Sequence, residues 1–249
     1  MNILHIYPSF ELSQGGPPLS IKYLALSQVS DGHKVSLITY CKKKYRIPGV
    51  NIINIKYIVK RFSIPNFQSL LKINNSIRNN NIIHLHGMWN GLISFSAFFS
   101  KNFKTIITPH GMAVKRNIYN KPIFKKIYYH FIDKFFFKNI DGCHYMSNHE
   151  YLNSKWIFKN KKFCIQHNLI DTNKIKKFVL KNKQKKIFNN NLINLVYLGR
   201  FNEIKNIIFQ LEMMKKIKKY KSNGILLHLI GPNNNYKNKL RKLVKKIPN

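Results

Sequence analysis

The alternation of short apolar runs with longer amphipathic stretches constrains the fold of this chain more than any other feature. The predicted strands are 2–7, 34–40, 50–56, 82–86, 105–108, 142–145 and 162–166. The predicted helices lie near 18–31, 66–79, 90–101, 121–139 and 148–154. Strands that alternate with helices in this way form a parallel sheet covered by helices. The pattern therefore predicts an α/β fold, an open doubly wound Rossmann-like domain over residues 1–170.

A second strand-helix-strand pattern follows a polar segment. Residues 171–191 are rich in Lys and Asn and predict a connector or a solvated helix. The predicted elements after it are a strand at 195–198, a helix at 203–220, a strand at 225–230 and a helix at 236–247. Two strands do not complete an open sheet, so residues 192–249 predict only the first part of a second Rossmann-like domain. Partly uncovered apolar surface is expected there, on Val196, Leu198, Leu227 and Leu229.

Composition narrows the function classes. No signal peptide and no membrane-spanning run is found, so a cytoplasmic location is expected. The three cysteines share no C-x-x-C spacing and are interpreted as small core residues. The 44 Lys and Arg against 8 Asp and Glu give a formal charge of +36, which suggests nucleic acid as one candidate ligand. No base-stacking or groove-reading motif accompanies the charge, and we predict no nucleic-acid partner.

Gly15 and Gly16 follow the first predicted strand and precede the first helix. Adjacent glycines allow close approach of a ligand to the backbone, and the helix N-terminus attracts phosphate. The alternative is a tight turn without a ligand.

Two His-Gly pairs stand at the ends of neighbouring predicted strands. His86 and Gly87 follow the strand at 82–86, and His110 and Gly111 follow the strand at 105–108. Ligands of open α/β sheets bind at this carboxyl edge. Neutral imidazoles can donate hydrogen bonds to sugar hydroxyls or act as weak bases, whereas single histidines there are often structural. A metal site needs a third ligand, so no metal is predicted.

A third candidate ligand-binding turn lies between the predicted strand at 195–198 and the helix at 203–220. It carries Arg200 and Lys205. Their cationic side chains, with the helix dipole, can converge on one diphosphate. In so basic a chain the same spacing also arises by chance.

The predicted helix at 121–139 carries an apolar stripe beside lysines. The stripe comprises Phe124, Ile127, Tyr128, Phe131, Ile132, Phe135 and Phe136. Such a stripe is typical of core packing, and the alternative is an interfacial helix on anionic lipid.

Together these segments resemble family-four glycosyltransferases of the GT-B fold. The resemblance rests on the Gly-Gly loop, on the H-G-x-W and T-P-H-G-M strand ends, on Ser147-Asn148-His149-Glu150 and on the G-R-x-x-x-x-K pattern at Arg200 and Lys205. It implies transfer of a sugar from a nucleotide-sugar donor, usually with retention, to a glycan or lipid-linked acceptor in cell-surface polysaccharide synthesis. It also implies His110 as the catalytic residue. The implied donor and acceptor contacts are Gly15, Gly16, His86, Gly111, Glu150, Arg200 and Lys205. No cofactor is implied besides the donor.

Two departures from the family pattern affect whether this chain is expected to be a complete enzyme. Leu169 stands where the family has a flexible glycine at the domain boundary, and the family's E-x7-E segment would lie beyond Asn249. A C-terminally truncated or split enzyme is therefore expected, with a separately encoded C-terminal fragment as a candidate partner. The alternative function is a catalytically incomplete binding module. Peripheral contact with an anionic membrane is the remaining expected interaction.

Overall fold

A computed structural model describes residues 1–11, 16–115, 122–181, 192–220, 224–232 and 235–245. The chain divides into two compact units, Met1–Thr172 and Asn173–Asn249. Within the described residues, no helix has the length and apolar character needed to cross a membrane.

The first unit contains a seven-stranded parallel sheet. Its strands are β1 (Asn2–Ser9), β2 (Lys34–Tyr40), β3 (Val50–Asn54), β6 (Ile82–His86), β7 (Lys104–Thr108), β8 (Gly142–Tyr145) and β9 (Lys162–Ile165). Their order across the sheet is β3-β2-β1-β6-β7-β8-β9. The chain order reverses at β1, so the carboxyl end of β1 marks the point where such sheets bind ligands. This is the predicted doubly wound topology.

Helices cover both faces of this sheet. They are α1 (Gly16–Ser30), α2 (Phe67–Arg78), α3 (Gly91–Phe99), α4 (Pro122–Tyr128), α5 (Lys134–Phe136) and α6 (Asn148–Ser154). A π-helical turn, Tyr129–Asp133, joins α4 to α5, and a 3-10 turn, Phe137–Asn139, follows. The segment predicted as one helix over 121–139 is thus helical where described, with changes of helical type along its length.

Each face of the sheet packs against its own hydrophobic cluster, because side chains along a strand point alternately to the two faces. Leu4 and Ile6 of β1 pack in one cluster with residues of α2 and α3, such as Ile73 and Leu92. The opposite face carries a smaller cluster that includes Leu37 of β2 and Ile21 of α1. Since side chains of a strand alternate between faces, both faces of the central strands are buried, as the continuous apolar runs predict.

A short antiparallel hairpin lies outside the predicted pattern. It pairs β4 (Tyr57–Val59) with β5 (Ile64–Pro65) through a 3-10 turn, Lys60–Phe62. Ser63 has a φ of 50°, the left-handed conformation that reverses the chain here. Strands this short leave no periodic signal in the sequence.

The second unit begins within α7 (Thr172–Lys181), an exposed helix in the segment predicted as a connector. It then contains β10 (Ile193–Leu198), a 3-10 turn (Glu203–Lys205), α8 (Ile207–Tyr220), β11 (Ile225–Ile230) and α9 (Asn235–Val244). The two strands are parallel and form their own sheet.

Only one face of this small sheet is well covered. Phe201, Ile207, Leu211 and Leu240 form a core against which Leu227 and Leu229 pack. The other face exposes apolar side chains, among them Leu198 at 78% and Val196 at 49%. The expected uncovered surface therefore occurs on Val196 and Leu198, whereas α8 and α9 partly bury the other two residues.

The cysteines differ in burial. Cys41 and Cys143 are buried core residues as predicted, but Cys164 is exposed. Its core assignment was wrong because β9 is the edge strand of the sheet and all four of its residues are exposed.

Candidate functional site

Histidines concentrate on one face of the sheet at its carboxyl edge. His5 of β1 pairs in register with His84 of β6, and His86 lies two residues further along the same strand. Residues two apart on a strand share a face, so the three rings lie together. They are buried, and the ring centroids of His84 and His86 are 4.1 Å apart.

A series of hydrogen bonds joins two of these rings, His5 and His86, to Gln28 and His110. Gln28 Oε1 lies 2.7 Å from His5 Nε2, His5 Nδ1 lies 2.9 Å from His86 Nε2, and His86 Nδ1 lies 3.1 Å from His110 Nε2. A neutral imidazole has one N–H and one lone pair, so the direction of donation at one end fixes the rest. Because an amide oxygen only accepts, His5 donates to Gln28, His86 to His5, and His110 to His86. The network thus places a proton on Nε2 of every ring.

The outer end of this series is His110 Nδ1. It lies 3.2 Å from Met146 Sδ, and a thioether has no proton to donate. In this tautomer Nδ1 of His110 carries a lone pair, and it is the basic atom at the end of this hydrogen-bonded series.

A second network starts from His84. His84 Nε2 lies 2.7 Å from Thr108 Oγ1, which lies 3.0 Å from His144 Nδ1, and His144 Nε2 donates to the Gln166 carbonyl at 3.0 Å. It connects β6, β7 and β8 across the same face. Together the two networks satisfy buried polar atoms that would otherwise be costly.

Burial keeps the central imidazoles neutral. It lowers the pKa of His5 to about 4, and the pKa of His110 to about 3 with a further contribution from the nearby His144. Burial, with neighbouring histidines, also lowers the pKa values of His84 and His86 well below the usual range. At neutral pH these rings act through hydrogen bonds, and His110 is a weak base.

The rings of His5, His84 and His86 are close enough together for a metal site. One nitrogen from each of His5, His84 and His86 lies within 4.8 Å of the other two. The sequence predicted no metal because a third ligand was missing from the motif, and the sheet supplies one in His5. However, His5 and His86 use the facing nitrogens to hydrogen bond each other. A metal would fit these residues only after that bond opened.

Left-handed backbone conformations shape the loops at the strand ends. His110 has a φ of 53° and Gly111 a φ of 74°, while Gly87 and Trp89 have φ values of 94° and 62°. A non-glycine residue in this region costs about 1–3 kcal/mol, which tertiary contacts must offset. The two His-Gly loops are therefore held in shape by their surroundings.

Glu150 supplies part of that support. Its Oε1 accepts the Gly111 N–H at 2.5 Å and its Oε2 accepts the Met146 N–H at 2.8 Å. The carboxylate is buried, and Ser147 caps the helix that carries it by accepting the Glu150 N–H. The side chain thus ties the loops after β7 and β8 together. Its expected contact with a ligand remains a prediction.

The remaining predicted site residues are distributed as follows. Gly15 lies outside the described residues, and Gly16 begins α1 with a φ of 42°. Arg200 and Lys205 belong to the second unit and are exposed. Lys205 lies on the 3-10 turn rather than on the first turn of α8, because the left-handed Asn206, with a φ of 51°, separates the two. Their convergence on a diphosphate remains a prediction.

Motif reasoning missed part of the network, namely His5, Gln28 and His144. A signal was present, because polar residues at alternate positions of otherwise apolar strands must find buried partners. His5 and His84 both follow this pattern. For Gln28 the sequence contains no such signal, because it lies on a helix more than twenty residues from its partner His5.

Comparison with known proteins adds the family. Residues 14–174 match the sequence model of Glycosyltransferase Family 4. This match includes every predicted site residue of the first unit. The chain belongs to Glycosyltransferase Family 4. No curated protein sequence matches it.

Solved structures with the same fold are GT-B glycosyltransferases. Sucrose-phosphate synthase from Thermosynechococcus elongatus superposes with a TM-score of 0.66 at 15% identity, covering 99% of this chain and 67% of that chain. A glycosyltransferase from Rickettsia africae gives 0.59 at 18% identity, with 99% and 65% covered. Anabaena HepE, solved with UDP and glucose, gives 0.59 at 10%, with 99% and 66% covered. The family-four chain therefore spans about two thirds of these structures, and the likeness establishes its fold.

Proposed function

We propose that this family-four chain transfers a sugar from a nucleotide-sugar donor to a glycan or lipid-linked acceptor, with retention of anomeric configuration, in cell-surface polysaccharide synthesis. The observation that carries the proposal is the family match over the unit whose two His-Gly loops lie at the carboxyl edge of the sheet. Ligands of open α/β sheets bind at that edge.

In this proposal His110 contacts the reacting sugar. Its low pKa favours a hydrogen bond to a hydroxyl over proton abstraction at neutral pH. His86 orients the ring through Nε2 of His110, and Glu150 holds Gly111 in place. Gly16, with Gly15 before it, offers the start of α1 to a ligand.

Arg200 and Lys205 of the second unit would bind the donor diphosphate. Both are cationic and exposed, and they flank a strand-to-turn junction. Charge of this kind stabilises a departing nucleoside diphosphate without a metal ion. No cofactor besides the donor is proposed.

A transfer assay tests the proposal. The chain is incubated with a panel of nucleotide sugars and a lipid-linked acceptor extract, and labelled product is followed together with released nucleoside diphosphate. NMR of the product then reports the anomeric configuration. Transfer that is lost in His110→Ala supports the proposal, whereas donor binding without transfer would favour a binding module. A C-terminal fragment that restores transfer would support a split enzyme.

The proposed place of action is the cytosolic face of an anionic membrane. A formal charge of +36 favours attraction to anionic surfaces, and this attraction falls as salt rises. Salt-dependent sedimentation with anionic vesicles, compared with neutral vesicles, measures it.

A further inference from the structure

A cavity beside the His110 loop combines lysines with aromatic rings. It has a volume of about 580 Å³. Its walls are formed by Trp89, Lys115, Lys125, Lys126, Tyr129, His130, Lys134 and Trp156. No carboxylate is among these residues, so the cavity favours an anionic ligand.

The aromatic walls are fixed to the candidate site. Trp89 Nε1 donates to the Met112 carbonyl at 3.2 Å, and Trp156 Nε1 donates to the Ala113 carbonyl at 3.2 Å. These carbonyls come directly after His110 and Gly111. The Tyr129 ring lies edge-on to both indoles, with centroid distances of 6.4 and 5.6 Å. The cavity is thus a built feature next to the proposed sugar-transfer site.

The helix that lines this cavity exposes large apolar side chains. Ile123 is 74% exposed and Phe131 is 80% exposed, and Ile127 and Phe135 are also exposed. The expectation of core packing was wrong for four residues of the predicted stripe, which are all exposed: Phe124, Ile127, Phe131 and Phe135. The exposed residues at intervals of four, Ile123, Ile127, Phe131 and Phe135, form one continuous strip, which we call the apolar strip.

A second cavity, of about 400 Å³, lies on another side of the same helix. Its lining includes Phe62, Phe95, Phe124, Tyr128 and Phe136. The residues of the apolar strip each come directly before a residue that lines this aromatic cavity, namely Phe124, Tyr128, Ile132 and Phe136. The segment therefore lines a cationic cavity and an apolar cavity, and it also exposes the apolar strip.

This arrangement matches an amphiphile with an anionic head. Lysine ammonium groups bind phosphate oxygens, aromatic faces pack against sugars and lipid, and exposed Phe and Ile contact hydrocarbon. We propose that the cationic cavity binds the diphosphate of a lipid-linked acceptor, with the lipid chain against the apolar strip. The proposal rests on the proposed function and names its acceptor class. It places the linked sugar beside Trp89, next to the His110 loop.

The tryptophans provide a direct readout. The chain has two tryptophans, and both line the cavity. Titration of the full chain with farnesyl diphosphate should change their emission saturably. Inorganic pyrophosphate, which lacks the lipid, and farnesol, which lacks the charge, should each bind roughly tenfold or more weakly, a difference of about 1.4 kcal/mol or more. Equal affinity for pyrophosphate and farnesyl diphosphate, or unchanged emission, would overturn the proposal.

Matched variants separate the cavity from overall charge. The triple variant Lys125→Ala, Lys126→Ala and Lys134→Ala should weaken farnesyl diphosphate binding roughly tenfold or more. The control replaces Lys43, Lys72 and Lys101, which are exposed elsewhere on the first unit, and should leave affinity unchanged. Equal losses in both variants would show attraction by net charge and contradict the site. Thermal unfolding of each variant verifies that it is folded.

Vesicles distinguish the headgroup from a membrane surface. Phosphatidylcholine vesicles that contain phosphatidylglycerol are compared with vesicles that contain farnesyl diphosphate at equal negative charge. A stronger emission change with farnesyl diphosphate, dependent on the cavity lysines, supports the proposal; an equal change means that an anionic bilayer is the ligand and overturns it. Because no donor is present, the result is independent of the transfer assay. Chains that bind the lipid but transfer no sugar would refute the proposed function alone.

Discussion

His5 Nδ1 lies 2.9 Å from His86 Nε2, and this contact joins β1 to β6 where the strand order of the sheet reverses. Because His5 also donates to Gln28, the amide oxygen of Gln28 determines which nitrogen of His110 carries a proton. A residue on α1 thereby influences the proposed sugar contact through three rings.

Replacing His86, the middle ring, should interrupt the series of hydrogen bonds between His5 and His110. His86→Leu leaves His5 Nδ1 and His110 Nε2 without partners, and each buried unsatisfied group costs about 1–3 kcal/mol. We expect the free energy of unfolding in urea to fall by about 2–6 kcal/mol. Nitrogen NMR should show a single Nε2–H tautomer for His110 in the parent chain and a mixture in the variant. His149→Leu, at an exposed histidine, should change neither measurement.

The buried histidines should make the first unit acid-labile. Folding lowers the pKa of His5 to about 4 and that of His110 to about 3, against 6.5 when unfolded. Below about pH 6.5 the unfolded chain therefore binds protons that the folded chain does not, and stability falls as pH falls. At about pH 5 each of these two residues contributes a loss of about 2 kcal/mol. Urea midpoints that stay constant between neutral pH and about pH 5 would contradict neutral burial.

Asp133 should have the opposite pH dependence. Burial raises its pKa to about 7, although Ser94 Oγ donates to it at 2.8 Å. The unfolded carboxyl ionises near 3.8, so stability is lost as pH rises from there to about 7. Asp133→Asn should stabilise the chain by up to about 4 kcal/mol at about pH 8 and less at about pH 5. Asp31→Asn, at an exposed residue, is the control. A constant difference from the parent across this range would exclude the shifted pKa.

The sheet was predictable because its strands are apolar runs of ordinary length. Ile82–His86 and Gly142–Tyr145 coincide with the predicted strands, and the positions of His86 and His110 at one edge follow from parallel order. The hairpin of β4 and β5 was not predictable, since its pairing depends on a single left-handed residue, Ser63.

The site was predictable only in part. Motifs identify loop residues such as Gly111, but a hydrogen bond such as that between His5 and Gln28 depends on how α1 packs on the sheet. Similarly, helical periodicity assigned Phe131 to the core, because an apolar stripe has the same pattern whether a neighbour covers it or not.

Glu150 should stiffen the His110 loop through its two oxygens. In Glu150→Gln one oxygen becomes an amide nitrogen that cannot accept, so the side chain can no longer accept from both the Gly111 and the Met146 N–H. The expected cost is about 1–3 kcal/mol of unfolding free energy, with faster amide hydrogen exchange at Gly111. Glu212→Gln, at an exposed residue of α8, should have no effect on either. Unchanged exchange at Gly111 would show that the loop is held by other contacts.

Arg200 and Lys205 should bind one anion, although they lie on different local structures. Arg200 follows β10, and its carbonyl accepts the Tyr197 hydroxyl at 2.8 Å, which fixes the backbone at the start of the turn that carries Lys205. Replacing both with Ala should weaken UDP binding by roughly tenfold or more in calorimetry, since a charged hydrogen bond contributes about 1.5–3 kcal/mol. Lys215→Ala with Lys216→Ala removes equal charge from exposed positions of α8 and should leave affinity nearly unchanged. Equal weakening in both double variants would mean that UDP responds to the charge of the unit and not to a site at this turn.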